Sequence, residues 1–299
     1  MKPNIPKICI AMLLAGAFLL ACVPQEEALP TAAPTPEIGE APEVAVVVTA
    51  TETPAQIATV PPTPSPSPTP EPTEPPTPSP TPKPLEGIVI GIDPGHQRVY
   101  NPHPEPVAPG SSQTKQKVAG GCRGVKSGVY EYEVVLNVGL YLKALLEEQG
   151  ATVVITHDTL DVDISNIERA QFFNDNNVDL GIRLHCNKSG DKKVKGAFML
   201  IPTENRTDFY TFNRRAAEIV LEEYLRETGL SMRYKTGITE RGDQTGFNWC
   251  KRPIINIEMG HLSNPDDDAL LSDDAFQQRM AQGLCNGIVR FFVEEGAVN

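Results

Sequence analysis

The chain has 299 residues, 29 of them proline, and a formal net charge of -12. That acidic balance argues against nucleic acid as a partner, because phosphates call for a basic surface. The prolines crowd ahead of residue 85, so composition divides a tail from one folding unit large enough to bury a core without disulfides or metal.

Met1–Cys22 reads as a targeting segment. Lys2 and Lys7 form a positive head, and Ile8–Leu20 is apolar but too short to span a bilayer comfortably. It ends in Leu19-Leu20-Ala21-Cys22, which resembles a bacterial lipobox. Cleavage there would leave Cys22 as the lipid-modified N-terminus; an ordinary signal peptide is the alternative. Two or three acyl chains would anchor the protein firmly, at roughly 0.8 kcal/mol per buried methylene. Residues 23–85 are built mainly from Pro, Thr, Ser, Ala and Glu, and are expected to be a disordered linker. With a polyproline II bias of about 3.1 Å per residue, the contour approaches roughly 190 Å. Val44–Val48 is read as a chance apolar run.

Residues 86–299 form the predicted domain. Gly87–Asp93 reads as a buried strand broken by Pro94 and Gly95, and Gln97–Gly128 as a long loop. Glu133–Gln149 reads as an amphipathic helix, with Leu136, Leu140 and Ala144 on its apolar spacing and Gly150 as its stop. Thr152–Thr156 is a second strand. Ser165-Asn166-Ile167-Glu168 is a capping box opening a helix to about Asn176. Leu180–Leu184 and Ala197–Ile201 are strands, Asn213–Glu227 is helical, Ile254–Ile257 is a strand, and Asp274 caps a helix reaching Phe292. Strands alternating with helices predict an α/β domain with a mostly parallel sheet.

Three strand-like runs end on a ligand-type side chain: one leads through Asp93-Pro94-Gly95 to His96, the others directly to His185 and Glu258. An open α/β sheet builds its site just beyond the carboxyl ends of its strands. Zinc favours imidazole nitrogen and carboxylate oxygen and keeps one position open for water in catalytic sites. His96, His185 and a Glu at the head of the first long helix would supply that set. Glu133 and Glu131 compete for the carboxylate. Cys122, Cys186, Cys250 and Cys285 could form up to two disulfides in three pairings, although Cys186 reads as a buried thiol.

Asp93-Pro94-Gly95-His96 resembles the D-P-G-H signature of the zinc-dependent N-acetylmuramoyl-L-alanine amidases. Glu133-Val134-Val135-Leu136-Asn137 resembles that family's E-x-x-x-N, Glu168-Arg169-Ala170 its E-R-A, and Arg183-Leu184-His185-Cys186-Asn187 its S-I-H-A-N. Ile257-Glu258-Met259-Gly260-His261-Leu262-Ser263-Asn264 resembles its V-E-x-G-F-L-S-N. The resemblance implies a mixed six-stranded sheet with surrounding helices. It also implies a zinc ion on His96, Glu133 and His185, and Glu258 as the catalytic base. Because Asn137 sets the register, it prefers Glu133 to Glu131. The implied reaction is hydrolysis of the amide between the lactyl group of N-acetylmuramic acid and L-alanine in peptidoglycan, outside the cell membrane.

Asp93 and Asn187 are candidates to orient the ligand histidines. Arg241 and Trp249 are candidates to line a glycan groove. His261, where the family has Phe, either touches substrate, tunes Glu258, or packs as a plain imidazole. His103 in the long loop reads as a solvated histidine, with an approach to the metal as the alternative, and His157 receives no role. A non-catalytic wall-binding lipoprotein on the same fold and a zinc peptidase of other exported peptides are the competing readings. A solute-binding lipoprotein would need two lobes. Oligomeric state is left open, with a monomer as the default.

Overall fold

The computed structural model describes residues 83–296. The leader, Cys22, Val44–Val48 and the linker up to residue 82 lie outside the described residues. The folded unit starts slightly earlier than its expected boundary at residue 86. Leu85 is fully buried in the core, and its N–H donates to the Gln149 carbonyl.

A six-stranded sheet runs β4-β1-β5-β8-β6-β7. Its strands are β1 (Val89–Pro94), β4 (Thr152–Ile155), β5 (Leu180–Asn187), β6 (Phe198–Pro202), β7 (Ile238–Arg241) and β8 (Ile254–His261). β1 pairs in parallel with β4 and β5, and β5 with β8. β6 then runs antiparallel to β8 and parallel to β7, so the sheet is mixed but mostly parallel, as expected. Helices α1 (Glu131–Glu148), α3 (Tyr210–Thr228) and α6 (Asp274–Glu294) pack on one face around Val135, Leu142, Ile182, Ile257 and Leu284. On the other face α2 (Asn166–Asp175) and the short α4 (Thr245–Trp249) enclose a smaller core of Phe173, Phe198, Phe247 and Ile254. Among the described residues no helix is long and apolar enough to cross a membrane.

The predicted elements are present, with physical differences at several places. α1 begins at Glu131, and its buried residues are Glu131, Val134, Val135, Leu136, Val138, Gly139, Leu142 and Leu146; Leu136 is buried as expected, while Leu140 and Ala144 are exposed. Asp273, not Asp274, caps α6 by accepting the Phe276 N–H. β7 was not foreseen: it is four half-exposed or exposed residues at the sheet edge, with no alternating pattern to reveal them. α5 (Pro265–Leu271) is a short helix after β8, capped by Asn264. The long Gly/Pro loop holds a two-stranded antiparallel ribbon, β2 (Asn101–Pro106) with β3 (Thr114–Val118). Pro102, Pro104 and Pro106 argue against a central strand, but an isolated ribbon has a free edge that needs no donor.

Candidate metal centre and active site

The parallel strands deliver their carboxyl ends to one edge of the sheet, and the N-terminus of α1 arrives at the same edge. His96 follows β1 in a turn, with φ of 63°, a left-handed conformation uncommon for a residue with a side chain. Arg169 of α2 holds that turn. Its guanidinium donates to the carbonyls of Pro94 (2.7 Å) and His96 (2.8 Å) and to Gln97 Oε1 (2.9 Å). Asp93, fully buried, anchors Arg169 (2.6 Å) and Arg183 (2.7 Å) and accepts from the Thr156 hydroxyl (2.8 Å). Burial opposes its charge, but the two guanidiniums win and hold the carboxyl well below the usual carboxylate range. Asp93 therefore supports the site through Arg169 rather than by bonding a histidine.

His96 Nδ1 lies 2.8 Å from the Ala119 carbonyl. As a donor there, it leaves the Nε2 lone pair free to face a cation. Nε2 is 3.1 Å from Glu131 Oε1 and 3.2 Å from His185 Nδ1, and His185 Nδ1 is 3.2 Å from the same Glu131 oxygen. These three side chains are the metal-capable cluster among the described residues. Ligands at about 2.0–2.1 Å from zinc in a tetrahedron stand roughly 3.3 Å apart, so the donor set fits zinc in both chemistry and spacing. Gly121, with φ of +73°, leaves room for the cluster: a Cβ there would press on the His96 ring and Glu131 Oε2 at 3.2 Å. A Cβ on Gly95 would collide with the His185 ring.

Glu131 is 3% exposed and braced by two backbone donors, Cys122 N–H to Oε2 (2.8 Å) and Cys186 N–H to Oε1 (3.0 Å). Burial opposes its charge, but the two imidazoles outweigh that and lower its pKa well below the ordinary value. Burial lowers His185 to about 4. For His96 burial also disfavours the charge, yet Glu131 turns the balance and raises its pKa.

Glu133 does not join the cluster, which corrects the expected ligand set. It sits at the third position of α1 and closes the capping box, accepting the Tyr130 N–H at 2.9 Å. Asn137, which set the motif register, lies exposed and donates to Gln277.

Glu258 stands opposite His185 in the β5–β8 register. It lines the same cavity of about 490 Å³ as His96 and His185. Burial first, then the nearby Glu131 charge, pushes its pKa well above the ordinary carboxylate value. The ribbon supplies one wall through Lys115 and Gln116. Lys115 reaches across to Asp243 (2.9 Å), which also takes a two-pronged contact from Arg241 (2.7 and 2.8 Å). Arg241 thus braces the cavity rim and is not among the lining residues. Trp249 is half-buried and bonds the Pro106 carbonyl. Asn187 folds back to accept the Lys188 N–H and orients no histidine. His261 is 1% exposed, bonded through Nδ1 to the Gly196 carbonyl (3.0 Å) and away from the cavity: it is a packed imidazole. All four described cysteines are free and buried, so the possible bridges are not formed.

The family model described as N-acetylmuramoyl-L-alanine amidase matches residues 90–290. The germination-specific N-acetylmuramoyl-L-alanine amidase of Bacillus subtilis is 28% identical over 226 residues, covering 71% of this chain and 83% of that protein. An N-acetylmuramoyl-L-alanine amidase of Mycobacterium tuberculosis is 25% identical over 219 residues, covering 71% and 89%. The crystal structure of the amidase Ami1 from Mycobacterium smegmatis shares the fold, with a TM-score of 0.64 at 20% identity over 70% of this chain and 99% of that one. The chain is an enzyme of the N-acetylmuramoyl-L-alanine amidase family.

Proposed function

We propose that this chain is an exported, lipid-anchored, zinc-dependent amidase. It would hydrolyse the bond between the lactyl group of N-acetylmuramic acid and L-alanine in peptidoglycan. The observation that carries the reading is the meeting of His96 Nε2, Glu131 Oε1 and His185 Nδ1 within 3.2 Å of one another, beside the cavity that Glu258 lines. His96, Glu131 and His185 would hold the zinc. Zinc, when bound, would polarise an amide carbonyl and acidify a water molecule.

The chain's own residues do the rest. Glu258 accepts a proton from the attacking water and returns it to the departing amino group of L-alanine. A carboxyl whose pKa is held high by burial can keep that proton between the two steps. Arg169 holds the backbone that carries His96, and the two amides on Glu131 fix its oxygens. The lipobox-like Leu19–Cys22 and the long Pro-rich segment support a tether that lets the domain reach a surrounding wall.

The test is turnover by the zinc-loaded protein on purified sacculi. Stem peptides with free L-alanine N-termini should appear by mass spectrometry. Glu258→Gln should lower kcat/KM by roughly 10²–10⁴-fold while zinc content stays unchanged. Wall binding without new amino groups, with zinc confirmed present, would refute the reading in favour of a binding lipoprotein. Equal cleavage of plain peptides would point to a general zinc peptidase. Anchoring is tested separately: labelled fatty acid should be incorporated, and Cys22→Ala should abolish it.

A further inference from the structure

The floor of the cavity is built one step below the catalytic row. Residues two apart on a strand share a face. Arg183 lies two before His185 on β5, and Asn256 two before Glu258 on β8; in the parallel register Arg183 pairs with Asn256 just as His185 pairs with Glu258. Both lower residues line the cavity, together with Gln244 and Thr245.

This lower row carries polar atoms without partners. Thr245 Oγ1 and Gln244 Oε1 are buried and make no hydrogen bond, and the Asn256 amide, in a residue only 1% exposed, faces the Glu258 carboxylate without a hydrogen bond of normal length. Arg183 spends Nε on Asp93 (2.7 Å) and Nη2 on Asn166 Oδ1 (2.8 Å), which leaves Nη1 without a protein partner among the described residues. Gly246 packs against that guanidinium so closely that a Cβ would collide with it. Unsatisfied buried polar atoms each cost on the order of 1–3 kcal/mol, and several converging on one cavity mark a place where a ligand group supplies the missing bonds.

We propose that Arg183, Asn256, Thr245 and Gln244 form a subsite for a carboxylate on the stem residue that follows L-alanine. The inference rests on the amidase reading for its substrate. Arg183 Nη1 and Asn256 Nδ2 are donors, and the Thr245 hydroxyl can donate as well. A half-turn of the Gln244 amide would turn its Nε2 inward. A carboxylate can accept from all of them and pairs with the charge of Arg183, whereas a neutral carboxamide gains no ion pair there. The spacing agrees. The upper and lower rows are separated by about 6.6 Å, two residues along a strand. From the scissile carbonyl carbon to the carboxylate of the next residue is about two residues of extended chain, roughly 7 Å. Arg183 stands where the family resemblance has Ser, so this charge distinguishes the present chain.

The test compares N-acetylmuramoyl-L-alanyl-D-glutamate, with a free α-carboxylate, to N-acetylmuramoyl-L-alanyl-D-isoglutamine, where that group is a carboxamide. The zinc-loaded protein should favour the carboxylate at least 10-fold in kcat/KM. Arg183→Gln should cut that ratio below about 3-fold, and Thr245→Val should lower it severalfold. A ratio within one protein is insensitive to partial misfolding, which slows both substrates alike. Calorimetry with L-alanyl-D-glutamate and L-alanyl-D-isoglutamine needs no turnover and should give the same preference in Kd. Hydrolysis of neither substrate together with carboxylate-selective binding would sink the amidase reading and keep the subsite. Ratios near one in the parent protein, a preference for the carboxamide, or a preference unchanged in Arg183→Gln would overturn the subsite.

Discussion

Glu131 and Glu133 differ by two positions on one helix, and the helical rotation sends them to different jobs. Glu131 faces inward to the imidazoles, while Glu133 turns back to cap the helix. Glu131→Gln should therefore abolish zinc binding and activity. Glu133→Gln should keep full zinc stoichiometry and lower the unfolding free energy, read from urea titration, by no more than about 1 kcal/mol, the usual scale of a cap. Equilibrium dialysis with metal analysis reads both. The opposite pattern, with zinc lost only in Glu133→Gln, would restore the motif-based assignment. His96, His185 and Glu258 were legible in the sequence because each follows an apolar strand run. The register set by Asn137 points to Glu133, which caps the helix, because Asn137 itself is exposed and bonds Gln277 outside the site. A better signal was present: Val134, Val135, Val138, Leu142 and Leu146 define the buried stripe, and Glu131 stands at its head. Of the expected apolar positions, Leu136 is buried, while Leu140 and Ala144 face solvent.

At the scale of elements, the site depends on how α2 grips the turn after β1. Arg169 donates to Asp93, three carbonyls and a side-chain amide, which a planar five-donor fork can do and an ammonium cannot. Arg169→Lys should loosen the His96 turn and weaken zinc affinity by 10-fold or more, read by competition with a chromophoric chelator. An unchanged affinity would mean that the turn holds itself. The strands and long helices were legible because their apolar periodicity is strong. β7 and the β2–β3 ribbon were not: one is a short edge strand, and the other carries three prolines in six residues. The ribbon matters nonetheless, since Lys115 ties it to Asp243 across the cavity. Arg183, read only as a departure from a motif, gained a role once its row on the sheet was known.

For the whole molecule, acid should act through His157 as well as through the metal ligands. His157 is buried beside Arg169, and these together hold it down to about 4, against roughly 6.5 for a free imidazole. Between those values the unfolded chain takes up a proton that the folded domain refuses. Stability therefore rises with pH across that window and is lost on acidification through it. Relative to the parent, His157→Asn should show a flatter dependence of the urea midpoint between pH 4 and 6.5; an identical slope would remove His157 from the account. All of the chemistry, however, depends on three side chains from β1's turn, α1 and β5 sharing one ion. The most direct measurement is an anomalous difference map at the zinc edge from crystals of the zinc-loaded protein. The account predicts one strong peak within about 2.0–2.2 Å of His96 Nε2, Glu131 Oε1 and His185 Nδ1. A peak bound by Glu133 instead of Glu131, or none among these three residues, would contradict it.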